Sequence, residues 1–237
     1  GKAWNMLYLE NHDHPRIISR YGSEAFRKES GKMLAAMYLF QQGTPFIYQG
    51  QEIGMTNWYP TEVSQYEDIQ TLNQHADWPE AKRLQLYHRA SRDSARTPVQ
   101  WSAERYAGFS EQEPWFHVNE NYKEINVVEE EADPDSILQF YRKAIRLRKK
   151  LKVVADGTFR EYDRASSKLY VYERKNKDQR LLVVCSFAEK EVCWKAPAGY
   201  DLHQGRLLLS NYGGMRLTKH GALLKPYETA VLLFQAD

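Results

Sequence analysis

Apolar and polar positions along the chain change rhythm once, near residue 152. Before that point short apolar runs alternate with stretches of helical spacing. Residues 6–9 (Met-Leu-Tyr-Leu) read as a buried strand that stops at the polar cluster Glu10, Asn11, His12, Asp13. Over residues 24–42, Phe26, Met33, Leu34, Met37 and Phe40 recur near i, i+3, i+4, and Gly43 ends the helix. Residues 44–48 form a second apolar run. Strand, helix and strand with this crossover length predict two parallel neighbours. Residues 54–133 are irregular, with a helical piece at 79–88. A loop region this long either carries function or wraps another domain. Asp133 and Pro134 start a helix whose apolar stripe is Ile137, Leu138, Tyr141, Ile145 and Leu147. Its basic last turn, residues 146–150, suits the helix dipole. From residue 153 the period is two. Strands are expected at 158–162, 168–172, 180–187, 191–195, 206–210 and 228–234.

The pattern gives an α/β portion, residues 1–152, followed by an all-β portion, residues 153–237. Two parallel strands do not make a sheet that is covered on both faces. They belong either to a larger barrel or to a pairing with another copy.

Composition narrows the class. The 237 residues include 42% apolar residues and 13% aromatics, enough to fill a core. Net charge is +2, so neither a nucleic-acid footprint nor a polybasic membrane patch is expected. No apolar run approaches the roughly 20 residues of a membrane span, and residues 1–4 lack the apolar core of a signal peptide. Two cysteines make no disulfide framework, and a cytoplasmic protein is expected. Cys185 and Cys193 flank a possible tight hairpin, but a disulfide between them is not expected there.

The chemistry concentrates in Glu10-Asn11-His12-Asp13-His14-Pro15-Arg16, at the C-terminal end of a buried strand. In barrels that end carries catalysis. An Asp beside a His can hold neighbouring sugar hydroxyls, and its carboxylate can stabilise an oxocarbenium-like transition state. The plainer reading is a polar turn in which Asp13 caps the next segment. His12 and His14 lack the further ligands that zinc requires, so no metal is expected. No G-x-S-x-G, P-loop or G-x-G-x-x-G is present.

Four motifs stand in order: N-H-D-H-P-R, G-T-P-F-I-Y-Q-G-Q-E-I-G-M-T-N, R-D-S-A-R-T-P-V-Q-W and E-P-W-F-H-V-N-E-N-Y-K-E-I-N-V. With L-L-K-P-Y-E-T-A-V-L-L-F near the end, they resemble the C-terminal half of the α-amylase family, glycoside hydrolase family 13. The nearest branch is that of oligo-1,6-glucosidase, dextran glucosidase and trehalose-6-phosphate hydrolase. The resemblance implies strands seven and eight of a (β/α)8 TIM barrel followed by an antiparallel β-sandwich domain. It implies that Asp13 is the family's transition-state-stabilising carboxylate and His12 its partner on the same sugar. Arg96 would help hold the non-reducing end, and Arg16 would lie near the pocket; for both arginines a structural ion pair is the plainer reading. His14 stands where the family usually has Gln, and Gln51 where it usually has Glu.

The resemblance also implies an absence. The family's nucleophile, general acid and calcium loop precede the N-H-D motif, so none is expected within this chain, and no cofactor is expected either. The parent would be a retaining α-glucosidase taking an oligosaccharide or disaccharide, and the chain alone would be inactive. The alternatives are trehalose-6-phosphate hydrolase, an inactive relative serving as a binding or scaffold subunit, and a carbohydrate-binding β module over residues 153–237. Open barrel edges would let the chain self-associate through Leu7, Leu9, Phe46 or Ile47. Trp58, Trp78, Trp101, Trp115 and Tyr122 read as packing, and Glu129, Glu130 and Glu131 as a solvated turn.

Overall fold

The computed structural model describes residues 4–236. They form a mixed α/β chain with one parallel strand pair and two antiparallel sheets. β1 (Met6–Leu7) and β2 (Thr44–Pro45) pair in parallel, with Met6 opposite Thr44 and Leu7 opposite Pro45. Bonds from Thr44 N to Asn5 O (2.8 Å) and from Phe46 N to Leu7 O (2.7 Å) complete the ladder. Both strands are shorter than their apolar runs. Residues 48–55 turn back on themselves, with Gln51 N bonded to Tyr48 O and Met55 N to Gly50 O, and a strand extends only where a neighbour takes its bonds. Gly43 makes the approach possible: its φ is +144°, and a Cβ there would lie 2.5 Å from Asn5 O.

α1 (Ile17–Tyr21) and α2 (Arg27–Leu39) follow β1. α2 buries Met33, Leu34, Ala35, Ala36, Tyr38 and Leu39, which cover most of its circumference. Arg148 donates to the carbonyls of Leu39, Gln41 and Gly43 and so satisfies orphan acceptors at the end of α2.

The long middle stretch contains α3 (Ile69–Asn73), α4 (Glu80–Ala90) and α5 (Val127–Ala132) among several 3-10 turns. Val63, Tyr66 and Tyr87 form its small core. Glu129, Glu130 and Glu131 lie in α5, not in a solvated turn. Asn126 caps that helix by accepting from Glu129 N (3.0 Å), and Glu130 is buried. α6 (Ile137–Lys150) starts three residues later than Pro134 suggests, and α7 (Lys152–Asp156) leads into the β region.

There, β3 (Thr158–Tyr162), β4 (Leu169–Lys175), β5 (Gln179–Ser186), β10 (Thr229–Gln235) and β7 (Arg206–Ser210) form one antiparallel sheet in that spatial order. β6 (Val192–Lys195), β9 (Gly221–Leu224) and β8 (Arg216–Thr218) form the other. One core joins the two sheets, built from Val171, Leu182, Val184 and Leu232 on one side and Trp194, Ala222 and Leu224 on the other. The opposite face of β5 and β10 takes α2, so β5 is buried on both faces and reads as a continuous apolar run. Cys185 and Cys193 are free and lie on different sheets, so the hairpin reading of residues 187–191 does not hold.

The described residues divide into two compact units, residues 4–7, 25–46 and 140–236 in one and residues 8–24 and 47–139 in the other. Among them no helix is long and apolar enough to cross a membrane, and no group of His, Cys, Asp and Glu is placed to hold a metal ion.

Candidate active site

The unit of residues 8–24 and 47–139 carries the candidate site. Its first element is the loop between Glu10 and Arg16. Both ends are pinned: Arg16 Nη1 lies 3.1 Å from Glu10 Oε2, and Glu10 Oε1 accepts from Ile17 N at 2.7 Å. Arg16 also donates to Gln49 O (2.8 Å) and Ser94 O (3.4 Å), while its backbone N–H donates to Asn57 Oδ1 (2.8 Å). Burial raises the Glu10 carboxyl above its ordinary range, against the lowering effect of Arg16 and the Ile17 N–H. Within this clamp the Asn11 side chain accepts from Asp13 N (2.8 Å) and shapes the turn that presents Asp13.

The second element is the 3-10 turn Arg92–Ala95, capped by Ser91, whose hydroxyl accepts from Asp93 N. One helical turn separates Arg92 from Arg96, so both side chains reach the same carboxylate. Arg92 Nη1 lies 2.9 Å from Asp13 Oδ1 and Arg96 Nη2 lies 3.5 Å from it. Arg96 Nε also donates to His12 O at 3.0 Å. His12 Nε2 stands 3.4 Å from the other oxygen, Asp13 Oδ2. The Asp13 and His12 side chains remain 47% and 69% exposed, so the pair faces solvent while the arginines back it. An open cleft of ≈ 320 Å³ runs beside Asp13 and is lined by Asp68, Gln70, Thr71, Gln74 and Arg92.

The structure therefore brings together Asp13, His12 and Arg96. Arg16 is not among them: its side chain is 0% exposed and holds the base of the loop, which is the structural ion pair that was the plainer reading. Gln51 is buried as well.

Two residues escaped the sequence reading. Arg92 carried a signal, its four-residue spacing from Arg96 on a helical turn. Asp68 carried none, because it lies 24 residues away from Arg92. Its Oδ1 accepts from Arg92 Nε (2.9 Å) and Nη2 (2.7 Å). Burial pushes the Asp68 carboxyl up, but the bonds from Arg92 and Thr71 outweigh it and bring it to about 2.

The aromatics divide. Trp58 is buried and packs on Tyr66, Phe116 and His117, as expected. Trp78 stacks on His75, with Lys82 over its ring. Trp101 and Trp115 are exposed, Trp115 to 82% with its ring edge-on to Phe116.

A carboxylate held this way can oppose a positive charge that develops beside it. It cannot by position both attack an anomeric carbon and protonate the leaving oxygen. Glu10, Asp68 and Asp93 are each less than a tenth exposed and are engaged by Arg16, Arg92 and backbone N–H groups.

Residues 1–157 match the family model described as alpha amylase, catalytic domain. The chain is 42% identical over 98% of its length to an oligo-1,6-glucosidase of Halalkalibacterium halodurans, covering 42% of that protein. It is 37% identical over 98% of its length to the trehalose-6-phosphate hydrolase of Bacillus subtilis, again covering 42%. Among solved structures, the trehalose-6-phosphate hydrolase of Bacillus licheniformis superposes with a TM-score of 0.93 at 40% identity, over 98% of this chain and 43% of that one. The chain thus spans about two-fifths of the length of the curated relatives it matches. With the motifs, the fold and the family model in agreement over most of the sequence, the chain belongs to the α-amylase family, glycoside hydrolase family 13.

Proposed function

We propose that this chain forms the C-terminal part of a retaining α-glucosidase acting on short α-glucosides. In this reading β1 and β2 are strands seven and eight of a (β/α)8 barrel, residues 1–152 are the end of the barrel, and residues 153–237 are a β-sandwich domain. The family model, which matches up to residue 157, supports that division. The observation that carries the functional reading is the half-exposed Asp13 carboxylate, with two arginines on Oδ1 and His12 beside Oδ2.

Asp13 would stabilise the positive charge of the transition state and, with His12, hold hydroxyls of the sugar at the cleavage site. Arg96 would hold the loop and the non-reducing end. The nucleophile and general acid would come from elsewhere in the full-length protein, because Glu10, Asp68 and Asp93 are buried and engaged.

Trehalose-6-phosphate hydrolysis is a second reading, supported by the likeness to the Bacillus licheniformis enzyme. The test compares the full-length protein with the 237-residue chain on nitrophenyl α-glucoside, isomaltose and trehalose 6-phosphate. Turnover by the full-length protein alone is expected. Turnover by the chain alone, lost in Glu10→Gln or Glu52→Gln, would mean that the chain is a complete small enzyme.

A further inference from the structure

Asp13 receives its arginines on one oxygen, and the closer of the two is itself held from behind. Arg92 gives Nη1 to Asp13 Oδ1 and gives both Nε and Nη2 to Asp68 Oδ1. Asp68 is in turn fixed on every side. Its Oδ2 accepts from Thr71 N (3.0 Å) and Thr71 Oγ1 (2.7 Å). Its own N–H, and that of Glu67, donate to Asp93 Oδ2 at 3.0 and 2.9 Å. Thr71 Oγ1 also meets Ser91 Oγ at 3.2 Å, which ties the assembly to the residue just before Arg92. Arg96 Nη1 approaches the same Asp68 oxygen at 3.6 Å.

We propose that Asp68 is a positioning residue of the reaction: through Arg92 it confines positive charge to Oδ1 of Asp13 and leaves Oδ2, beside His12, for the sugar. The proposal rests on the α-glucosidase reading of Asp13.

Asp13 and Asp68 compete for the donors of Arg92. A guanidinium carries five N–H donors in a rigid fork and favours two-pronged contact with a carboxylate. Two of those donors on Arg92 are taken by Asp68. With Asp68 neutral the charge that holds them is gone, and the neutral oxygen that remains competes less well for them than the nearest exposed anion, Asp13. Arg92 would then turn its fork onto Asp13, beside Arg96, and engage Oδ2 as well. The charge that opposes the oxocarbenium ion would be quenched, and His12 would lose its partner. Asp68 is suited to prevent this: its carboxyl, at about 2, stays ionised wherever such an enzyme works. A purely structural role for Asp68, capping α3 through Thr71 N, would leave the field of Asp13 unchanged.

The test is a double-mutant cycle on the full-length protein, with nitrophenyl α-glucoside as substrate and activity counted per folded molecule. Asp68→Asn is expected to lower kcat about 10- to 100-fold, the scale of a small misplacement at a reacting group, with KM changed less than about threefold. In an Arg92→Ala background the same substitution should cost no further kcat, while its effect on Tm persists. If Asp68→Asn does not fold, Thr71→Val, which removes one bond to Asp68, should lower kcat in the presence of Arg92 and not in its absence.

A lowered Tm with unchanged kcat would overturn the proposal, as would an equal kcat loss with and without Arg92. Asp13→Asn runs beside these variants. If it leaves kcat intact, the transition-state role of Asp13 falls and takes the positioning role of Asp68 with it. If Asp13→Asn is inactive while Asp68→Asn is fully active, only the positioning role falls.

Discussion

At the scale of residues, two arginines share one oxygen of Asp13, and Asp68 lies within 4 Å of both arginines. The consequence for stability has a definite sign. The Asp68 carboxyl is lowered from 3.8 to about 2 in the folded chain. A depressed acid contributes stability that is fully present above its unfolded value and is lost as pH falls through its folded value. Asp68→Asn should therefore unfold at lower temperature than the unsubstituted chain at pH 6, and the gap should narrow between about pH 4 and pH 2. Thermal unfolding followed by circular dichroism over that range checks this. A gap that stays constant down to pH 2 would show that the ion pair contributes nothing. Asp13, His12 and Arg96 were singled out from motifs contiguous in sequence, and the structure sets their side chains beside one another. Asp68 was not, because its meaning lies in a contact made across the fold, with no local pattern to mark it. Arg16, expected near the pocket, is buried against Glu10: a sequence gives an arginine's charge but not whether a buried carboxylate will take it.

At the scale of elements, the period-two pattern identified β3, β4, β5, β6, β7 and β10 to within a few residues. It missed β8 and β9, which have three and four residues and flank a turn at Lys219 and His220. Gly221 and Ala222 are weak strand formers and hide β9 further. The structure supplies the reason for the glycine: a Cβ at Gly221 would lie 1.9 Å from Trp194 O on β6. Gly221→Ala should thus push β6 and β9 apart and cost about 1–3 kcal/mol, the scale of overpacking. Urea unfolding, with tryptophan fluorescence for Trp194, measures this. An unchanged midpoint would mean that the strands move apart without penalty. The parallel direction of β1 and β2 was legible from the crossover. Their shortness was not, since strand length depends on neighbours that hydrophobicity does not report.

At the scale of the whole molecule, β1 and β2 leave apolar surface in the open: Met6 is 72% and Phe46 50% exposed. Such a patch beside strand edges favours association. The 237-residue chain should self-associate at micromolar concentration in light scattering, and Met6→Lys with Phe46→Glu should reduce it. A clean monomer before substitution would count against this. The family and the order of its motifs were legible along the sequence. The two compact units were not, because α2 joins the antiparallel sheets through contacts far apart in the chain. The role of Asp13 is measured by the kcat of Asp13→Asn in the full-length protein on nitrophenyl α-glucoside. Removing charge where charge develops should lower kcat by about 100- to 1000-fold and leave KM within a fewfold of its original value. An unchanged kcat with a raised KM would reduce Asp13 to a ground-state contact with the sugar and contradict the role assigned to it.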